Sequence, residues 1–130
     1  MRLAHVMIRV NDLDESINFY HDIFKMNVLK KTQNEAYRYT LAFMGYGDDI
    51  NAVTALELTY NWDTKSYDHG DAFGHLCIEV DDVYKACEMI QNKGGIVTRP
   101  AGPVKGGTSI IAFVKDPNGY QIELIEKKVR

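Results

Sequence analysis

The chain has only two cysteines, no long apolar run and no excess of basic residues. Each shortage narrows what it can be. Cys77 and Cys87 could at most pair with each other, and neither sits at the C-x-x-C spacing of a thiolate metal site. Cys87 falls at helical spacing between Val83 and Ile90, which reads as a core position, and Cys77 lies two residues after His75 in a strand. Both read as structural thiols kept reduced in the cytoplasm. No apolar stretch approaches the roughly 20 residues of a membrane span. The opening Met1–His5 runs straight into a strand pattern with no leader-like apolar core, so the expected location is cytoplasmic. A formal net charge of −3 without a dense basic run argues against a nucleic-acid partner. No low-complexity stretch or linker divides the 130 residues, and 45% apolar content supports one domain with its own core.

What is present is an internal repeat. His5-Val6-Met7-Ile8-Arg9-Val10-Asn11-Asp12 resembles His75-Leu76-Cys77-Ile78-Glu79-Val80-Asp81-Asp82 at an offset of 70, and Leu41-Ala42-Phe43 matches Ile111-Ala112-Phe113 at the same offset. Leu56-Glu57-Leu58 matches Ile122-Glu123-Leu124 at 66. The four lost residues fall in one connection, where the first half has Gly45–Asn51 and the second the tighter turn Asp116-Pro117-Asn118-Gly119. Two modules are therefore expected, 1–66 and 70–130, each a strand, a helix and three strands. In the first, a strand over 3–10 precedes a helix capped by Asn11 or Asp12 and lined by Leu13, Ile17, Tyr20 and Phe24. Strands over 27–32, 38–44 and 53–60 follow. In the second, Asp81 or Asp82 caps a helix that stops at Gly94-Gly95, and strands follow over 96–99, 109–115 and 120–126. Tandem βαβββ modules predict an α+β fold with curved sheets around a cleft.

Side-chain alternation along strands then sorts the polar residues. Val6, Ile8 and Val10 should pack under the helix, leaving His5, Met7 and Arg9 on the other face. Leu56 and Leu58 point to the helix, leaving Glu57, Thr59 and Asn61 opposite. In the second module Leu76, Ile78, Val80, Ile122 and Leu124 face inward, while His75, Gln121 and Glu123 face away. A lone His or Glu beside a strand is ordinarily a partly buried or solvated side chain. Here His recurs at the first strand and Glu at the fourth strand of both modules. His5, Glu57, His75 and Glu123 thus offer two neutral nitrogens and two anionic oxygens, a set that suits one first-row divalent ion and leaves octahedral positions open. A structural zinc site would more often be closed and rich in thiolate. His21 and His69 have no repeat partners and read as surface residues, while Tyr60 and Trp62 read as packing residues. Gly102–Thr108 lacks P-loop spacing and a following helix. It reads as a flexible flap over a cleft, with Lys105 available to an anion.

These segments, with Ser16-Ile17-Asn18-Phe19-Tyr20, Leu56–Trp62, Phe73-Gly74-His75 and Asp116–Leu124, resemble the vicinal-oxygen-chelate superfamily, and within it the bacterial glyoxalase I (lactoylglutathione lyase) family, over essentially the whole chain. The resemblance implies isomerisation of the glutathione–methylglyoxal hemithioacetal to S-lactoylglutathione, a detoxification of methylglyoxal. It implies a metal held by His5, Glu57, His75 and Glu123, with nickel favoured over cobalt or zinc. Glu123 is implied as the catalytic base, with Glu57 as its symmetry mate and a second catalytic candidate, placed to serve the opposite face of the substrate. Arg9 and Asn61 are implied at the γ-glutamyl end of glutathione, and His75 faces the substrate as well as the metal. Some relatives carry Arg four residues before the second His, where this chain has Asp71, so Lys105 becomes the candidate for the glycyl carboxylate. The family also implies a homodimer whose sites take one His–Glu pair from each chain. Competing readings within the superfamily are a thiol transferase, an extradiol dioxygenase, or a metal-free drug-binding dimer; the last is at odds with the His/Glu set.

Overall fold

Both halves of the chain build the same order of elements, for reasons visible in their local sequence. The structure is a computed structural model and describes residues 1–128. The first half forms β1 (His5–Arg9), α1 (Leu13–Asp22), β2 (Asn27–Asn34), β3 (Tyr39–Gly45), a 3-10 turn at Ile50–Ala52 and β4 (Ala55–Asn61). The second forms β5 (Leu76–Val80), α2 (Val83–Asn92), β6 (Ile96–Pro103), β7 (Ile110–Lys115) and β8 (Gln121–Glu126). The result is α+β, as the periodicity predicts: two four-stranded mixed sheets, ordered β1-β4-β3-β2 and β5-β8-β7-β6, neither of them a closed barrel. The chain divides into two units, Met1–Asp68 and a second that begins at His69.

Each helix starts at the second of its two candidate caps. The Asp12 carboxylate accepts from the Glu15 N–H and that of Asp82 from the Lys85 N–H, both at 3.0 Å, satisfying donors that the first helical turn leaves open. The end of α2 also follows the sequence. Gly94 takes φ +82°, and a Cβ at Gly95 would lie 2.9 Å from the Ile90 carbonyl oxygen. Only glycine accepts both conditions cheaply. No helix among the described residues is long and apolar enough to cross a membrane.

Between helix and sheet lies an apolar layer in each unit. In the first, Val10, Tyr20, Met44 and Leu58 are fully buried, as are Val83, Ile90, Val114, Ile122 and Leu124 in the second. Removing such a side chain forfeits transfer energy and leaves a cavity, so Leu→Ala at these positions costs about 2–5 kcal/mol. Three expectations need adjusting. Val6 shares the parity of Ile8 but is 36% exposed, because it stands early on an edge strand. Ser16 takes a fully buried place on α1, whereas Phe24 is buried just past the helix end. Finally, β6 runs on to Pro103 instead of ending at 99, with register shifts either side of Arg99. Gly102 and Pro103 pair with Ile111 and Ile110, so the expected flap is strand at its base.

The shortened connection between β7 and β8 is held by its aspartate. Asp116, only 5% exposed, accepts through Oδ1 from the backbone N–H groups of Asn118 (2.8 Å) and Tyr120 (2.9 Å). Gly119, at φ +93°, supplies a conformation that other residues rarely adopt. This turn sets where β8 begins, and so which of its residues share a face with Glu123.

Candidate metal centre

In the first unit β1 and β4 run parallel in one register, which sets Met7 opposite Glu57 and His5 opposite Ala55. His5 and Glu57 reach toward one another diagonally across the strand pair, with Nε2 3.2 Å from Oε1. The imidazole is 43% exposed and the carboxylate 13%. Phe43, opposite Glu57 on the neighbouring β3, packs edge-on against the His5 ring at a centroid distance of 5.4 Å. The other Glu57 oxygen accepts from the Thr59 hydroxyl at 2.6 Å, a length typical of an O–H···O⁻ bond. Thr59 is itself 9% exposed.

The second unit repeats the constellation with one element changed. His75 stands immediately before β5, and its Nε2 lies 3.7 Å from Glu123 Oε2 on β8. Phe113 sits opposite Glu123 and packs edge-on against the His75 ring at 5.2 Å. The residue two places after Glu123 is Ile125, so no hydroxyl corresponds to that of Thr59. Cys77 is opposite Glu123, where the first unit has Met7 opposite Glu57. Partial burial, and then the charge and hydrogen bonding of Glu123, push the Cys77 thiol above its ordinary pKa. Burial also raises that of Cys87, and both cysteines are free.

The chemistry of each pair fits a divalent ion. Two donors each about 2.1 Å from an ion stand roughly 3.0 Å apart at a right angle and roughly 3.4 Å at a tetrahedral angle. The observed separations of 3.2 and 3.7 Å lie close to that range. Each unit brings two of the expected ligands together. Among the described residues no group of three or more His, Cys, Asp or Glu converges on one metal position.

Of the residues expected to meet substrate, Arg9 ends β1 exposed, and Lys105 is exposed in the turn after β6. Asn61 ends β4, and its amide donates to the Tyr67 hydroxyl at 2.9 Å. Just beyond it, Trp62 donates through Nε1 to Thr40 Oγ1 at 2.8 Å and receives the Arg38 guanidinium over its ring, which agrees with a packing role. Arg38 also pairs with Asp63 through two nitrogens, at 2.7 and 2.9 Å, which holds that carboxyl below its ordinary pKa. His21 and His69 are exposed as expected, yet both have local partners. His21 Nδ1 lies 2.8 Å from the Met26 carbonyl, and the His69 ring stacks on Tyr120 at 4.3 Å. A cavity of about 340 Å³ in the first unit lies by the start of α1, among Asp12, Asp14, Lys31 and Tyr60, and contains none of the four His and Glu.

Four participants escaped the sequence reading: Phe43, Phe113, the Thr59 hydroxyl and Tyr67. The two phenylalanines were legible in principle, since they repeat at the same offset of 70 as the histidines.

The family model of the Glyoxalase/Bleomycin resistance protein/Dioxygenase superfamily matches residues 2–124. The chain belongs to this superfamily. Among members, it is 55% identical over 128 residues to the lactoylglutathione lyase of Haemophilus influenzae, covering 98% of this chain and 94% of that one. With the lactoylglutathione lyase of Neisseria meningitidis the identity is 53% over 128 residues, covering 98% and 92%. Among solved structures of the superfamily, glyoxalase I from Zea mays superposes with a TM-score of 0.93 at 48% identity. That match covers 98% of this chain but 45% of the maize chain, so the present chain spans about half its length. The trypanothione-dependent glyoxalase I of Leishmania major gives 0.86 at 41% identity, covering 97% and 86%.

Proposed function

We propose that this superfamily member is a lactoylglutathione lyase, a glyoxalase I that isomerises the glutathione–methylglyoxal hemithioacetal to S-lactoylglutathione. The recurrence of a His–Glu pair in both units, each backed by a phenylalanine, carries this reading. The near-full-length identity to bacterial lactoylglutathione lyases supplies the substrate. On this reading the two units are modules of one glyoxalase-type domain. His5 and Glu57 from one chain and His75 and Glu123 from a second copy hold one divalent ion. A homodimer of this kind is the proposed assembly. Nickel is favoured, with cobalt or zinc as the other candidates. A cytoplasmic location completes the reading.

When bound, the ion supplies Lewis-acid stabilisation of negative charge on the two neighbouring substrate oxygens. The remaining work belongs to the chain. Glu123 takes the proton from the carbon that bears sulfur and returns it to the adjacent carbon. The hydroxyl proton passes from the oxygen of the first carbon to that of the second, so the hydroxy ketone becomes a hydroxy thioester of the same composition. Glu57, its counterpart, stays in place as a ligand. Arg9 and Asn61 hold the γ-glutamyl end of glutathione, and Lys105 meets the glycyl carboxylate. Tyr67 orients the Asn61 amide.

Metal analysis of the purified protein, followed by isomerisation assays with Ni2+, Co2+ and Zn2+, tests the proposal. One ion per site and hemithioacetal-dependent turnover are expected. A metal-free protein that no divalent ion activates would refute it.

A further inference from the structure

The two carboxylates of the proposed metal centre are not held alike, and the difference lies in residues that are neither ligands nor substrate contacts. Glu57 is fixed at both oxygens, one 3.2 Å from His5 and the other accepting from Thr59 at 2.6 Å. The Thr59 hydroxyl is in turn constrained, because its residue is 9% exposed within β4, between β1 and β3. A β-branched side chain on a strand has few rotamers, so the hydroxyl stays aimed at its partner. Glu123 has Ile125 at the equivalent place, only the weak thiol donor of Cys77 on the facing strand, a longer separation from its histidine and greater exposure, 19% against 13%.

We propose that Thr59 is a positioning residue that locks Glu57 in the orientation of a permanent metal ligand, and that Ile125, by offering no hydroxyl, leaves Glu123 the less tightly held of the two carboxylates. The inference rests on the proposed metal centre. Within it, Thr59 decides which of two symmetry-related glutamates does the holding and which moves the proton. Hydrogen-bonded partners of this kind orient first-row metal ligands, and losing one typically costs about 10–100-fold in metal affinity or activity.

The test compares wild type with Thr59→Val, Thr59→Ser and Thr59→Ala. Ni2+ affinity is read by competition with a chromophoric chelator, the Co2+ visible band reports ligand geometry, and kcat and KM are measured on the loaded protein. Thr59→Val, nearly isosteric but without the hydroxyl, should bind Ni2+ about 10-fold more weakly and shift the Co2+ band. Thr59→Ser should restore both, because it keeps the hydroxyl. If Thr59→Val does not fold, Thr59→Ala takes its place against Thr59→Ser. Unchanged Ni2+ affinity and an unchanged Co2+ band in the hydroxyl-free variants would overturn the inference, as would a serine variant as impaired as the valine one. Wild type that binds no Ni2+ would instead refute the underlying metal centre, so the two failures are distinguishable.

Discussion

Glu57 stands beside a threonine and Glu123 beside an isoleucine, in half-chains that otherwise repeat one another. Strand order, helix cap, parallel β1–β4 and β5–β8 pairs and edge-on phenylalanine are common to both. The shared parts are those that place a carboxylate near an imidazole. The differing parts govern what the carboxylate can do once there. A duplicated module thus supplies equal donors, and a few side chains around them break the equality.

Exchanging the two glutamates for glutamine should break the comparison most severely. Glu123→Gln is expected to lower kcat about 1,000-fold or more while keeping substantial Ni2+ affinity, as befits loss of a proton-transfer group. Near-normal turnover would remove Glu123 from that role. Glu57→Gln should weaken Ni2+ binding more than Glu123→Gln does; equal losses in chelator competition would mean the carboxylates are equivalent after all. Next comes the converse of the threonine test. Ile125→Thr gives Glu123 a hydroxyl two residues away on the same face, and kcat should fall about 10-fold without weaker Ni2+ binding. An unaltered kcat would argue against any advantage of a less tightly held Glu123.

Smaller effects should expose what the two units share. Phe43→Leu and Phe113→Leu each remove an edge-on contact to a histidine ring, worth about 0.5–1.5 kcal/mol beyond area. Both should lower Tm by a few degrees and to a similar extent; a drop confined to one would show that the rings are not doing the same job. The mildest contrast concerns Cys77, which takes the place of Met7. Its thiol is pushed up by burial and by Glu123, so less of it is thiolate at neutral pH. Alkylation by iodoacetamide should therefore be slower than for an unhindered thiol at pH 8. Equal rates would contradict the crowding inferred around Glu123.

Much of this was legible before any coordinates. The offset of 70 and its fall to 66 identified the four ligand candidates, because a repeat turns weak single-residue signals into a set. Alternation placed Glu57, Thr59 and Asn61 on one face, and the Glu57–Thr59 bond agrees with that placement. Hidden from sequence was the direction of the Thr59 hydroxyl, since parity gives a face but not a partner. The extension of β6 to Pro103 was hidden too. Two prolines and a glycine read as loop, and the strand persists through bulges that no periodicity announces. Val6 misled in the opposite sense, because alternation says which side a residue faces but not whether anything covers it there.

Those bulges are closed by one side chain. The Arg99 guanidinium donates to the carbonyls of Pro100, Gly102, Pro103 and Ile111, all at 2.9–3.0 Å. Beyond that clasp the chain turns back through a Val104 N–H bond to the Ser109 carbonyl at 2.7 Å. Lys105 therefore stands in a short hydrogen-bonded turn on a fixed strand end, not in a slack curtain. Its reach is set by a few residues of turn, and Arg99 fixes the strand end from which that turn departs.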